Sequence, residues 1–184
     1  MEGGASRGGS RRRARPWRHG AKVVGTEFAA YACESFFKDN HISFTIQDLD
    51  GIAGKIYRST DDDVDISIYQ CDHYLVTKAM IGFDFDSVWD RGSFNSVPNR
   101  DQQKYIDHMK SMLTKSATIL LAVVEYEIID DSDKHDILNA EECVYKAFTP
   151  YANVEKLARS ITEWQGDDNQ TMKIPEILFQ INFN

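Results

Sequence analysis

Phe85-Asp86-Ser87-Val88-Trp89-Asp90-Arg91-Gly92-Ser93-Phe94 is the stretch on which the reading of this chain turns. Phe83 to Trp89 reads as a strand that runs apolar, ends at Trp89 and then turns abruptly through Asp90-Arg91-Gly92. Glycine at 92 permits a positive φ or a close backbone approach, and the short carboxylate of Asp90 can bond to local backbone N–H groups. Arg91 is left at the strand's carboxyl end with a planar, permanently charged fork. Ligands of open α/β sheets sit outside that end. The tetrapeptide alone also admits a simple arginine that pairs with Asp90 at a turn, so the neighbouring segments decide.

Outward from this stretch, strand and helix patterns alternate. Lys22 to Glu27 is a short β-branched run that ends in an acid, followed by a helical pattern from Ala29 to Asn40 with Ala32, Phe36 and Phe37 near one face. Ile42 to Ile46 reads as extended, and Asp48 to Gly54 as a turn-rich connection. Lys55–Ser59 and Val64–Tyr69 alternate apolar and polar residues around Asp61-Asp62-Asp63, the pattern of a hairpin with a solvated turn. Gln102–Leu113 carries a helical stripe of Tyr105, Ile106, Met109, Met112 and Leu113, which reads as core. Ala117 to Tyr126 is a nearly unbroken apolar run, suited to a strand covered on both faces. Ala140–Phe148 predicts a helix closed by Pro150, Val154–Trp164 a second helix, and Ile177–Phe183 a final strand. The alternation predicts an α/β domain with a largely parallel sheet.

The 184 residues, 42% hydrophobic and 27% charged, describe one globular domain with a sizeable core. No apolar run approaches the ~20 residues that cross a bilayer as a helix. Cys33, Cys71 and Cys143 are odd in number and widely spaced, which fits a reducing, cytoplasmic setting rather than a disulfide framework or a zinc site. The net charge of -8 is uneven: residues 1–20 hold six of the 21 basic residues and one of the 29 acids, so residues 21–184 carry 15 against 28, a net of -13. Such a body is a poor partner for nucleic acid. Residues 1–20, rich in Arg and Gly with Trp17 as their one large apolar side chain, read as a disordered leader ahead of an α/β domain over 21–184. The five His are scattered, and neither a Gly-x-Ser-x-Gly nor an i, i+4 His pair is present.

Trp89-Asp90-Arg91-Gly92 resembles the corresponding stop in animal thiopurine S-methyltransferases. So do Val23-Val24-Gly25-Thr26-Glu27, Phe36-Phe37, Ile66-Ser67-Ile68-Tyr69, and Tyr105 to Met112. The similarity covers most of Ala21–Glu127 and is looser beyond. It implies a Rossmann-like, S-adenosylmethionine-dependent methyltransferase sheet that moves a methyl group onto the sulfur of aromatic or heterocyclic thiols. The expected partners are a small-molecule thiol and the donor, with no nucleic acid and no membrane, in a monomer. On the same resemblance Glu27, at a strand tip, accepts hydrogen bonds from both ribose hydroxyls of the donor. The residues by themselves suggest instead an acid serving a helix N-terminus. Asp72 and His73 align with positions at the donor's adenosine end, Asp72 as an acceptor for the adenine amino group and His73 for backbone contact and shape. Arg91 matches an arginine at the mouth of the site. No catalytic acid, base or nucleophile is implied.

The chain also departs from the family. The family's N-terminal lid, first strand and glycine loop have no counterpart upstream of Val23, since Gly3-Gly4 and Gly8-Gly9 follow no strand and precede no helix. The first strand is central in that sheet, so the expectation is a sheet incomplete at that position, two interior edges left open, and weakened donor binding. Ile128–Lys134 replaces a Pro-rich stretch that borders the acceptor, and Arg159 falls out of register with the family's second substrate-side arginine. The alternative expectation is a non-catalytic α/β interaction protein whose open sheet recruits a strand. A nicotinamide-binding Rossmann protein would use Glu27 on the ribose, but it needs the same glycine loop and leaves Trp89–Gly92 unexplained.

Overall fold

The computed structural model describes residues 20–125, 140–165 and 171–184. The leader and the Ile128–Lys134 replacement therefore lie outside the described residues. The chain divides into two compact units, Met1–Val76 and Thr77–Asn184.

In the first unit, β1 (Lys22–Glu27), β2 (Phe44–Asp48), β3 (Lys55–Ser59) and β4 (Asp65–Gln70) form a four-stranded sheet in the order β1-β4-β3-β2. The parallel β1–β4 pair sets Glu27 opposite Gln70, and β3 turns back on β4 as the predicted hairpin. Helix α1 (Ala30–Asp39) lays Cys33 and Phe37 on Ile42, Tyr57, Ile66 and Ile68. Phe37 stacks on Phe44 at 4.8 Å between ring centroids. Phe36 and Phe37 pack against this core as expected, but the small residue that α1 buries there is Cys33 rather than Ala32.

In the second unit a single turn, α2 (Lys78–Ile81), precedes β5 (Phe85–Arg91), α3 (Gln102–Ser111), β6 (Leu113–Val124), α4 (Ala140–Phe148), β7 (Ala152–Gln165) and β8 (Thr171–Phe183). The strand order is β5-β6-β8-β7. One face carries the larger core: Ile119, Leu121 and Val123 of β6 and Ile177, Phe179 and Ile181 of β8 meet Tyr105, Ile106 and Met109 of α3 and Val144 and Phe148 of α4. The stripe on α3 is core, as its periodicity predicts.

Two expectations are corrected. The sheets are not largely parallel: only β1–β4 and β5–β6 run parallel, while the other four described pairs are antiparallel. Hairpins account for three of these, and β8 enters antiparallel beside β6. Val154–Trp164 is not a helix but the body of β7. A register shift between Lys156 and Ala158 inserts Leu157 as an extra residue in the ladder with β8. That insertion spaces Val154, Leu157, Ala158 and Ile161 at i, i+3, i+4 and i+7, a helical period produced by a bulged strand.

Each sheet ends in a strand with one described neighbour, β1 in the first and β5 in the second.

If β7 and β8 are paired as described, Phe179→Ala, which empties a fully buried site, lowers unfolding free energy by about 3–5 kcal/mol. Ile161→Ala, at a side chain 66% exposed, changes it by less than about 0.5 kcal/mol. Urea denaturation of the two variants checks the contrast.

Candidate functional site

At the carboxyl end of the parallel β1–β4 pair the ladder continues one step past the strands, with the Cys71 N–H donating to the Glu27 carbonyl at 3.1 Å. Glu27, Asp72 and His73 are thereby brought to one sheet end. Glu27 shares the α1 side of the sheet with Val23, and its Oε1 accepts the Ala29 N–H at 2.7 Å. Ala29 is the N-cap of α1 and offers no side-chain cap, so the carboxylate satisfies one of the helix's orphan donors. The helix-terminus role suggested by the residues alone is realised at this oxygen. Oε2 makes no hydrogen bond among the described residues.

Asp72 is exposed and caps the short 3-10 turn His73–Leu75, accepting the Tyr74 N–H at 2.9 Å through Oδ1. His73 is held by its Nδ1, 3.2 Å from Thr26 Oγ1 on β1. Beneath Glu27, the Cys33 thiol is 1% exposed, and burial together with the nearby Glu27 carboxylate pushes its pKa up to about 11. Burial also raises the Cys71 thiol, with Asp72 adding to it, and the Tyr57 phenol. All three cysteines are free.

Arg91 stands at the carboxyl end of the other parallel pair, β5–β6, opposite Ala122. The turn behaves as its residues predict. Gly92 takes φ +87°, and Asp90 Oδ1 accepts the Ser93 N–H at 3.1 Å. Asp90 is buried, and its Oδ2 accepts the Tyr105 hydroxyl of α3. Arg91 therefore does not pair with Asp90. Its Nε donates to Glu176 Oε1 on β8 at 2.6 Å, and Thr162 of β7 donates to Glu176 Oε2 at 2.9 Å. Asn95 closes the end of the ladder, donating Nδ2–H to the Val124 carbonyl at 2.9 Å and accepting the Val124 N–H at 3.3 Å.

Arg159 forms a separate pair with Glu125. Arg91 shares a face with Ala122 and Leu178 by register, whereas Arg159 lies opposite Ile177, so the two arginines project from opposite faces of this sheet. Sequence reasoning missed Glu176, Thr162 and Asn95. A signal existed for the first: Glu176 is the single acid in the apolar run Ile174–Phe179.

The model of the family described as thiopurine S-methyltransferase matches residues 17–174. The chain belongs to this family. It is 36% identical over 109 residues to the thiopurine S-methyltransferase of Rattus norvegicus, covering 59% of the chain and 44% of the relative. It is 34% identical over 108 residues to the probable thiopurine S-methyltransferase of Danio rerio, covering 58% and 45%. With the enzyme of Canis lupus familiaris it shares 33% over 143 residues, 77% of the chain and 53% of the relative. The chain thus spans about half the length of the relatives it matches.

Among solved structures, a SAM-dependent methyltransferase from Anabaena variabilis aligns at a TM-score of 0.53 with 16% identity, over 89% of this chain and 68% of that one. A structure titled for conversion of a disulfide bond into a thioacetal group during echinomycin biosynthesis aligns at 0.57 with 10% identity, over 90% and 68%. The fold is the Rossmann-like methyltransferase fold, and the family's methyl donor is S-adenosylmethionine.

The Cys33 shift has a definite sign. Its folded pKa lies above the ordinary 9.0, so its contribution to stability is whole below pH 9 and is lost as pH rises toward 11. Two units correspond to about 2–3 kcal/mol. Urea midpoints taken between pH 8 and 11 fall with pH, and Cys33→Ala flattens the part of that slope that Cys71 and Tyr57 do not carry.

Proposed function

We propose that this chain is a thiopurine-type S-methyltransferase, moving the methyl group of S-adenosylmethionine to the sulfur of an aromatic or heterocyclic thiol. The observation that carries the reading is Glu27. Its carboxylate is oriented through one oxygen by the Ala29 N–H, while the other has acceptor capacity left at the carboxyl end of β1. A cis-diol needs an acceptor-only group held in that way. Phe28, the next residue, and Tyr31, in the first turn of α1, are 77% and 83% exposed and offer flat apolar surface for a purine base. The residues therefore fit the adenosine half of the donor. Asp72 would accept from the adenine amino group through the oxygen that does not cap the turn, and His73, fixed by Thr26, would supply shape.

The donor, when bound, supplies a methyl group on an activated sulfonium leaving group. What the chain adds is placement and charge. Arg91, permanently protonated, would favour the thiolate of the acceptor over the thiol and hold its sulfur. Heterocyclic thiols ionise readily, so no general base is required, and rate comes from alignment and exclusion of water. Free cysteines and an acidic body are consistent with a cytoplasmic monomer acting on a small molecule.

Among the described residues β1 and β5 each pair with one strand, and such edges support a second reading, a non-catalytic α/β module that recruits a strand from a partner. Size-exclusion chromatography separates the two: the module gives a defined complex or oligomer, the enzyme a monomer.

The direct test is transfer of labelled methyl from S-adenosylmethionine to a mercaptopurine, with donor affinity measured by calorimetry. Glu27→Gln weakens donor binding by about 2 kcal/mol, roughly thirtyfold in Kd. Absence of both transfer and donor binding in the unaltered chain rejects the methyltransferase reading.

A further inference from the structure

Arg91 is held by its neck. Glu176 engages Nε rather than the two Nη nitrogens, and those have no hydrogen-bond partner among the described residues. The glutamate is itself fixed, since Thr162 occupies its second oxygen. Backbone pairing sets Glu176 opposite Val124 on one side and Ser160 on the other, so its Cα is held by two ladders. The side chains of Arg91 and Glu176 are 36% and 19% exposed, so the glutamate is partly buried while the arginine reaches solvent. The relay runs from β5 over β6 to β8 and on to β7, across every strand of the sheet.

We infer that Glu176 is a positioning residue: it fixes the plane of the Arg91 guanidinium and, with Thr162 behind it, leaves the Nη end of the fork for the acceptor. A guanidinium is rigid and planar, so one bond at Nε constrains where both Nη groups lie. Without that bond, four side-chain torsions return to Arg91, and any ligand must pay for ordering them. The carboxylate has a further consequence. It offsets part of the arginine's charge, so the fork selects by hydrogen-bond geometry as well as by attraction to the thiolate. This inference rests on the methyltransferase reading for the identity of the ligand, but not for the aim of the side chain.

The experiment uses the full chain labelled with 15N and measures solvent exchange of arginine Nε–H protons by NMR. Loss of a signal in Arg91→Lys assigns the Arg91 resonance. Its proton exchanges roughly tenfold or more slowly than those of the exposed Arg58 and Arg100, as a charge-assisted bond requires. Glu176→Ala abolishes the protection, Glu176→Gln keeps most of it through the amide oxygen, and Thr162→Val gives an intermediate rate. If Glu176→Ala does not fold, the other two variants carry the comparison. An Arg91 proton as fast as the exposed ones in the unaltered protein, or equally slow in Thr162→Val and Glu176→Ala, overturns the inference. In the transfer assay, Glu176→Ala raises KM for the mercaptopurine several-fold with a smaller change in kcat, and Glu176→Gln restores it. An unchanged KM alongside lost protection also overturns it. A chain that transfers no methyl group rejects the functional reading alone, and the exchange rates still decide whether Glu176 aims Arg91.

Discussion

A carboxylate buried among apolar side chains survives only when its oxygens are satisfied, and Asp90 meets that condition with the Ser93 N–H and the Tyr105 hydroxyl. The bond to Tyr105 fastens the end of β5 to α3, the helix that covers the same face of the sheet. Because side chains alternate along a strand, pinning Asp90 inward obliges Arg91 to leave from the other face. The position of the guanidinium is therefore set by its neighbour before any ligand is considered. Gly92 then takes a left-handed conformation and lets the chain leave the sheet immediately after the arginine.

A comparable economy governs Glu27. Its carboxylate begins helix α1 through the Ala29 N–H and adds to the burial that raises the pKa of Cys33, both structural effects of the group that we propose holds the ribose. The two readings of this residue, helix-terminal acid and diol acceptor, use different oxygens of one carboxylate. A structural bond at one oxygen orients the other, in the same way that a bond at Nε orients the rest of Arg91.

The strand tips that carry Glu27 and Arg91 lie at the carboxyl ends of the parallel pairs, while the antiparallel strands build outward from them. Only a parallel pair joined by a long crossover places two consecutive strand ends, and the helix N-terminus that follows, at one edge. The antiparallel additions supply support. In the second unit they also supply Glu176 and Thr162, without which the end of β5 would carry an unrestrained arginine.

Much of this was legible in the sequence because it is written in local periodicity and in short motifs. The helices α1, α3 and α4, the β3–β4 hairpin, the buried strand β6 and the turn at Gly92 follow from residue spacing and from what glycine and aspartate allow. The family resemblance followed from a few such motifs taken together. What the sequence could not disclose depends on partners far along the chain. A bulge at Leu157 gave β7 the spacing of a helix, and only the ladder to β8 resolves it. The antiparallel majority of pairings, the placement of Arg91 and Arg159 on opposite faces, and the capture of Arg91 by Glu176 rather than by Asp90 are likewise decided by strand order. Strand order is set by which apolar faces can be buried together, a property of the whole packed chain that no window of adjacent residues contains.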